Sequence, residues 1–222
     1  DIGEYLYTVQ GTQVYVQLYA ASEASFALEN GLKIKLHQFT DYPWNGDVRL
    51  EADCVGEYSL FLRWPEWCER VSLRIDGQEI SIENRPAAGY LPLGKHSGKM
   101  TVEYKMHMEA CFMEAAPAVR ADAGKVAIQR GPVVYCAEEC DNGPQLFRLA
   151  VDPQSSILIE EKACFGAPVL KVLNAWREGQ DGGNLYRRYQ PSSQAVSVRL
   201  VPYCLWGNRN PEGRAGEMTV WL

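Results

Sequence analysis

The stretch Leu32-Lys-Ile-Lys-Leu-His-Gln38 decides the fold class. Leu32, Ile34 and Leu36 alternate with Lys33, Lys35 and His37. Apolar side chains at every second position all point to one face of an extended strand, whereas a helix would scatter them around its axis. Upstream, Thr12 to Ala20 repeats the pattern, with Val14, Val16 and Leu18 on one face and Tyr15, Gln17 and Tyr19 on the other. Asn30-Gly31 between the two predicts the turn that joins them.

Downstream, the same period recurs in Asp47 to Ala52, Tyr58 to Arg63 and Val71 to Ile75. Asp76-Gly77 then predicts a tight turn into Gln78 to Ile82. Met100, Val102, Tyr104 and Met106 form one face of a further strand. After Met106 the texture changes. Glu114 to Ala118 reads as a linker, and new strands are expected at Lys125 to Ala137, with Gly131-Pro132 as an interruption, and at Leu146 to Val151 and Ile157 to Glu161. Val196 to Pro202 and Glu217 to Leu222 follow, with a Gly-rich loop at Glu178 to Asn184. Only Asp1 to Tyr7 carries a helical pattern. Many short strands with turns between them predict an all-β protein made of two antiparallel β-sandwich domains.

The chain has 222 residues, 46% of them hydrophobic, enough for two cores. Twenty-two basic against twenty-eight acidic residues give a net charge of −6 without any basic run, which argues against nucleic acid as a partner. No apolar segment approaches the roughly 18 residues of a membrane helix, and Asp1-Ile-Gly-Glu-Tyr5 does not read as a signal peptide. Seven cysteines, an odd number in a chain this large, read as reduced and mostly buried thiols, the usage of a cytoplasmic protein.

The candidate sites are few. Cys136 and Cys140 lack the second ligand pair that would close a zinc tetrahedron, and His37, His96 and His107 are scattered, so no metal ligand is assigned. Glu138 and Glu139 are adjacent on a strand and point to opposite faces, so they read as solvated acids and not as a glycosidase pair. No Gly-x-Ser-x-Gly elbow or phosphate loop is present, and no catalytic residue is assigned. Trp44, Trp64 and Trp67 could stack on sugar rings and are the candidate carbohydrate-binding residues, with core packing as the competing role.

Several segments in order resemble the carboxyl-terminal part of glycoside hydrolase family 127, the β-L-arabinofuranosidase-like proteins. They are Tyr5 to Val9, Val14 to Tyr19 with Ser22-Glu-Ala24, Asp41-Tyr-Pro-Trp-Asn-Gly46, Leu60 to Trp67, Gly124 to Asn142, Val198 to Arg209 and Gly216 to Leu222. The resemblance implies an (α/α)6 catalytic barrel upstream, then two sandwiches whose last strand returns to the first, giving domains 1–108 plus 214–222 and 109–213. It also implies a zinc-bound cysteine nucleophile in a Cys-Cys-Pro-Pro-Asn-like motif that no cysteine here matches. No cofactor is therefore expected in this chain, and zinc is implied for the missing barrel. The implied role is a non-catalytic scaffold and assembly region, with the barrel, a second copy and a carbohydrate as candidate partners. Arg130 and the Glu138 to Asp141 acids are the expected contacts for barrel or subunit. The alternatives are a stand-alone carbohydrate-binding module and a structural interaction domain.

Overall fold

The computed structural model describes residues 2–29, 31–179, 185–186, 188, 190–209 and 216–222. It divides into two compact units, Asp1–Met108 and Glu109–Leu222.

In the first unit a short 3-10 turn, Ile2–Tyr5, leads into β1 (Tyr7–Gln10), β2 (Gln13–Val16), β3 (Ser22–Ala27), β4 (Lys33–Thr40), β5 (Asp47–Arg63), β6 (Val71–Ile75), β7 (Gln78–Ile80) and β8 (Tyr90–Met106). The decisive stretch behaves as its period demands: Ile34 and Leu36 are buried on β4 while Lys33 and Lys35 are exposed. Its hairpin partner, however, is β3, paired from Ser22↔Gln38 to Ala27↔Lys33, and not Thr12 to Ala20. β3 alternates only between half-buried and exposed positions, so its apolar alternation is weak. The turn expected at Asn30-Gly31 lies partly outside the described residues.

The two strands expected at Asp47 to Ala52 and Tyr58 to Arg63 are one. β5 pairs with β4 from Val48 to Cys54, and with β2 from Ser59 to Leu62, the latter a parallel pairing among antiparallel ones. Register shifts against β8 fall between Cys54 and Tyr58, where these halves join, and between Ser59 and Phe61, and such bulges bend a strand. Buried residues of both halves, among them Val48, Leu50, Leu60 and Leu62, join one core cluster. β6 and β7 meet through Asp76 and Gly77, with φ of 49° and 80°, the two left-handed residues that a type I′ hairpin requires. Gly46 lies so close to β8 that a Cβ there would sit 1.8 Å from the Met106 carbonyl oxygen, so only glycine fits.

The second unit comprises β9 (Ala110–Glu114), β10 (Val126–Arg130), β11 (Val133–Glu138), the helical turn α1 (Glu139–Asn142), β12 (Leu149–Val151), β13 (Ile157–Cys164), β14 (Ala167–Glu178), β15 (Ser193–Pro202) and β16 (Met218–Thr219). Gly131-Pro132 does not interrupt one strand; it reverses the chain, pairing Ile128 with Tyr135 and Arg130 with Val133. β14 has no expected counterpart: its run Ala167 to Leu170 is buried on both faces and so shows no alternation. The loop expected at Glu178 to Asn184 is described only to Gly179.

The last strand does not return to the first unit. β16 pairs antiparallel with β11, Ala137 opposite Thr219, and Leu222 and Val126 exchange both backbone hydrogen bonds at 2.9 Å. Met218 and Val220 pack against the cluster of Cys136, Cys164, Val169 and Val201. The closing segment thus covers apolar surface of its own unit, and residues 216–222 belong there.

Candidate functional site

The first unit carries a groove of about 1070 Å³ where the end of β2, the Asp41–Trp44 turn, the end of β5 and the segment before β8 converge. Its walls are aromatic. Tyr42 and Trp67 lie near-parallel, with ring centroids 6.5 Å apart and planes at 27°, and Tyr19 meets Tyr42 edge-on at 6.0 Å. Tyr19 donates its hydroxyl to the Arg63 carbonyl at 2.5 Å, which fixes the end of β5. Burial raises the Tyr19 hydroxyl well above its ordinary pKa, with Tyr104 and Tyr42 adding to the rise, and burial raises that of Tyr42 against the opposing Trp67 hydrogen bond and Arg63 charge. Both phenols are neutral donors at physiological pH.

The charged groups on the groove are Arg63, Arg85 and Glu66. Arg63 donates one N–H to the Gln17 carbonyl at 3.3 Å, and Arg85 donates Nε to the Trp64 carbonyl at 3.2 Å. Glu66 stands 3.9 Å from Arg85 with its side chain 92% exposed, so this pair is loose and well screened.

The three tryptophans do not form a strip. Trp64 is 4% exposed and donates its indole N–H to the Cys68 carbonyl at 2.7 Å, so it belongs to the core. Trp67 is half-buried with its ring on the groove, while Trp44, also half-buried, is not among the lining residues. The residues missed were Tyr19, Tyr42, Tyr90, Arg63 and Arg85. The one local signal was Arg63-Trp-Pro-Glu-Trp67, whose arginine and second tryptophan both reach the groove.

A second concavity, about 760 Å³, covers the solvent face of β4, β5, β8 and β6. Two of its charge pairs span neighbouring strands, Lys105 with Asp47 at 3.4 Å and Arg74 with Glu103 at 3.9 Å, while Arg49 pairs with Glu51 along β5 and lies over the Phe39 ring of β4. Such a face is a solvated charge lattice.

In the second unit, Glu138, Cys140 and Asp141 are the group among the described residues whose ligand atoms could surround an ion. Glu138 is not a solvated acid: it is 5% exposed, and its carboxylate accepts from Gly207 N at 2.8 Å and from the Arg209 guanidinium. Arg209 also reaches Asp141 and stands 3.5 Å from the Cys140 sulfur. Burial works against the Arg209 charge, but hydrogen bonds to Asp141 and Glu138 outweigh it and raise its pKa. Zinc, the metal implied by the family resemblance, does not fit here, because a guanidinium already lies against the carboxylates. The thiols are also poor ligands. Burial pushes Cys136 up to about 12, with the Glu138 charge adding to the rise, and burial raises Cys140 and Cys164 too. None of the seven cysteines is in a disulfide; Cys111, Cys140 and Cys204 are exposed and the other four are buried. Arg130, expected at an outer contact, is 8% exposed and pairs with Glu161 at 3.4 Å.

Comparison with known proteins follows this division. Residues 13–108 match the β-L-arabinofuranosidase GH127 middle domain, and residues 110–222 match the glycoside hydrolase family 127 C-terminal domain. The chain belongs to glycoside hydrolase family 127. A non-reducing end β-L-arabinofuranosidase of Bifidobacterium longum subsp. longum is 31% identical to the whole of this chain, which spans 35% of that protein. A crystal structure of a GH127 β-L-arabinofuranosidase from Geobacillus stearothermophilus T6 superposes with a TM-score of 0.89 at 35% identity, over 99% of this chain and 35% of that one. A further GH127 β-arabinofuranosidase structure is 28% identical with a TM-score of 0.85, over 100% of this chain and 36% of its own. The chain therefore covers about a third of the length of these relatives.

Proposed function

We propose that this chain is the non-catalytic β region of a longer family 127 glycoside hydrolase, a scaffold against which a catalytic domain packs, and that alone it cleaves no glycoside. One observation carries the reading: the chain matches the family's middle and C-terminal domains over a third of its relatives' length. Its own chemistry agrees. The acids and thiols nearest to a cluster in the second unit are held by Arg209 or kept protonated by burial, so among the described residues this cluster offers neither a free nucleophile nor a free acid to a glycosidic bond. On this reading zinc belongs to the rest of the protein. The test is to assay the purified chain on an aryl β-L-arabinofuranoside with and without added zinc. No turnover above buffer is expected; zinc-dependent hydrolysis would overturn the proposal.

A carbohydrate-binding role is the second reading, favoured by the aromatic walls of the first unit's groove.

A further inference from the structure

We infer that the groove of the first unit binds a sugar bearing a carboxylate, its ring laid against Tyr42 and Trp67 and its carboxylate held by Arg63 and Arg85. The inference deepens the carbohydrate-binding reading and rests on it. Aromatic faces offer the apolar area that a sugar ring's C–H face covers. The groove is also biased in charge: two arginines stand against one glutamate in a chain whose net charge is −6. A neutral ligand would leave that bias unused, whereas a carboxylate answers it.

The arginines are anchored yet keep donors to give. A guanidinium has five N–H groups. Arg63 gives one to Gln17, and Arg85 gives one to Trp64 beside its loose pair with Glu66, whose carboxylate is almost wholly in water. Each bond to a main-chain carbonyl orients its guanidinium while the remaining N–H groups stay available. A ligand carboxylate can therefore displace Glu66 from Arg85 at small cost, because exposed pairs contribute little. The volume, about 1070 Å³, accommodates a disaccharide.

The experiment uses the 222-residue chain and two sugars that differ only at C6, methyl β-D-glucuronide and methyl β-D-glucoside, titrated by NMR and tryptophan fluorescence. The glucuronide should bind at least about tenfold more tightly, the usual scale of a charge-assisted hydrogen bond. Arg63→Gln and Arg85→Gln should each remove most of that preference with the fold unchanged, and raised salt should weaken it. Trp67→Phe should weaken both sugars together. Equal affinity for the two sugars, or binding of neither, overturns the proposal. So does binding of an acidic aromatic peptide in place of both sugars, which would make the groove a protein contact. None of these results touches family membership or the absence of catalysis, which the hydrolysis assay tests separately.

Discussion

In the first unit's groove, two arginines are tethered by single bonds to main-chain carbonyls and face solvent with donors left over. In the second unit, Arg209 is enclosed by Glu138, Asp141 and the Cys140 sulfur, and Glu138 in turn holds the Gly207 amide. The same side chain thus does two jobs. Where its partners are carboxylates, one of them the buried Glu138, it locks a loop to a strand; where they are carbonyls at a rim it remains open to a ligand. Proximity of charges alone does not distinguish a lock from a site. What distinguishes them is how many donors and acceptors the surrounding chain has already satisfied.

Four substitutions test that contrast. The largest effect is expected at Trp64→Ala, which removes a 4% exposed core side chain beneath the groove. It should destabilise the first unit by about 4 kcal/mol, read as an early transition in urea while the second unit's transition holds. Next, Glu138→Ala leaves the Arg209 guanidinium short of an acceptor in a partly buried place and should cost the second unit about 3 kcal/mol. A loss below half of that would mean the lock is no tighter than the rim.

A smaller effect concerns pH. The Cys136 thiol has a pKa of about 12 against an ordinary 9.0, so between those values the unfolded chain releases a proton that the folded chain keeps. Stability therefore falls as pH rises through that window, by about 1.4 kcal/mol at pH 10 from this thiol. Cys136→Ala should flatten the decline in an alkaline titration followed by circular dichroism. The smallest effect is Arg63→Gln, expected to change the first unit's stability by less than about 0.5 kcal/mol. A larger loss would make Arg63 a lock like Arg209 and erase the contrast.

Much of the fold was legible wherever one face of a strand meets water. Lys33 to Gln38, Val71 to Ile75 and Met100 to Met106 alternate cleanly, and they are strands with the expected faces buried. Legibility failed where that asymmetry fails. β3 alternates only between half-buried and exposed positions, without a fully buried face, and β14 begins with a run buried on both faces, so neither was foreseen. The placement of the last strand failed for another reason: Met218 and Val220 are apolar whichever unit they cover, and only pairing with β11 decides between them. Of the site, the sequence offered Trp67 and the motif around it. The groove needs Tyr19, Tyr42 and Arg85 from three further segments, and nothing local in those segments announces that they meet. Glu138 looked like a solvated acid because its partner, Arg209, lies 71 residues away.

The claim that this chain is the β region of a longer glycoside hydrolase is tested most directly by the intact mass of the native gene product, measured by mass spectrometry from its source. A mass near three times the 24.9 kDa of this chain is the predicted result, since the chain spans about a third of its relatives. A native mass of 24.9 kDa would contradict the account and leave a free-standing pair of β units whose groove must explain its function alone.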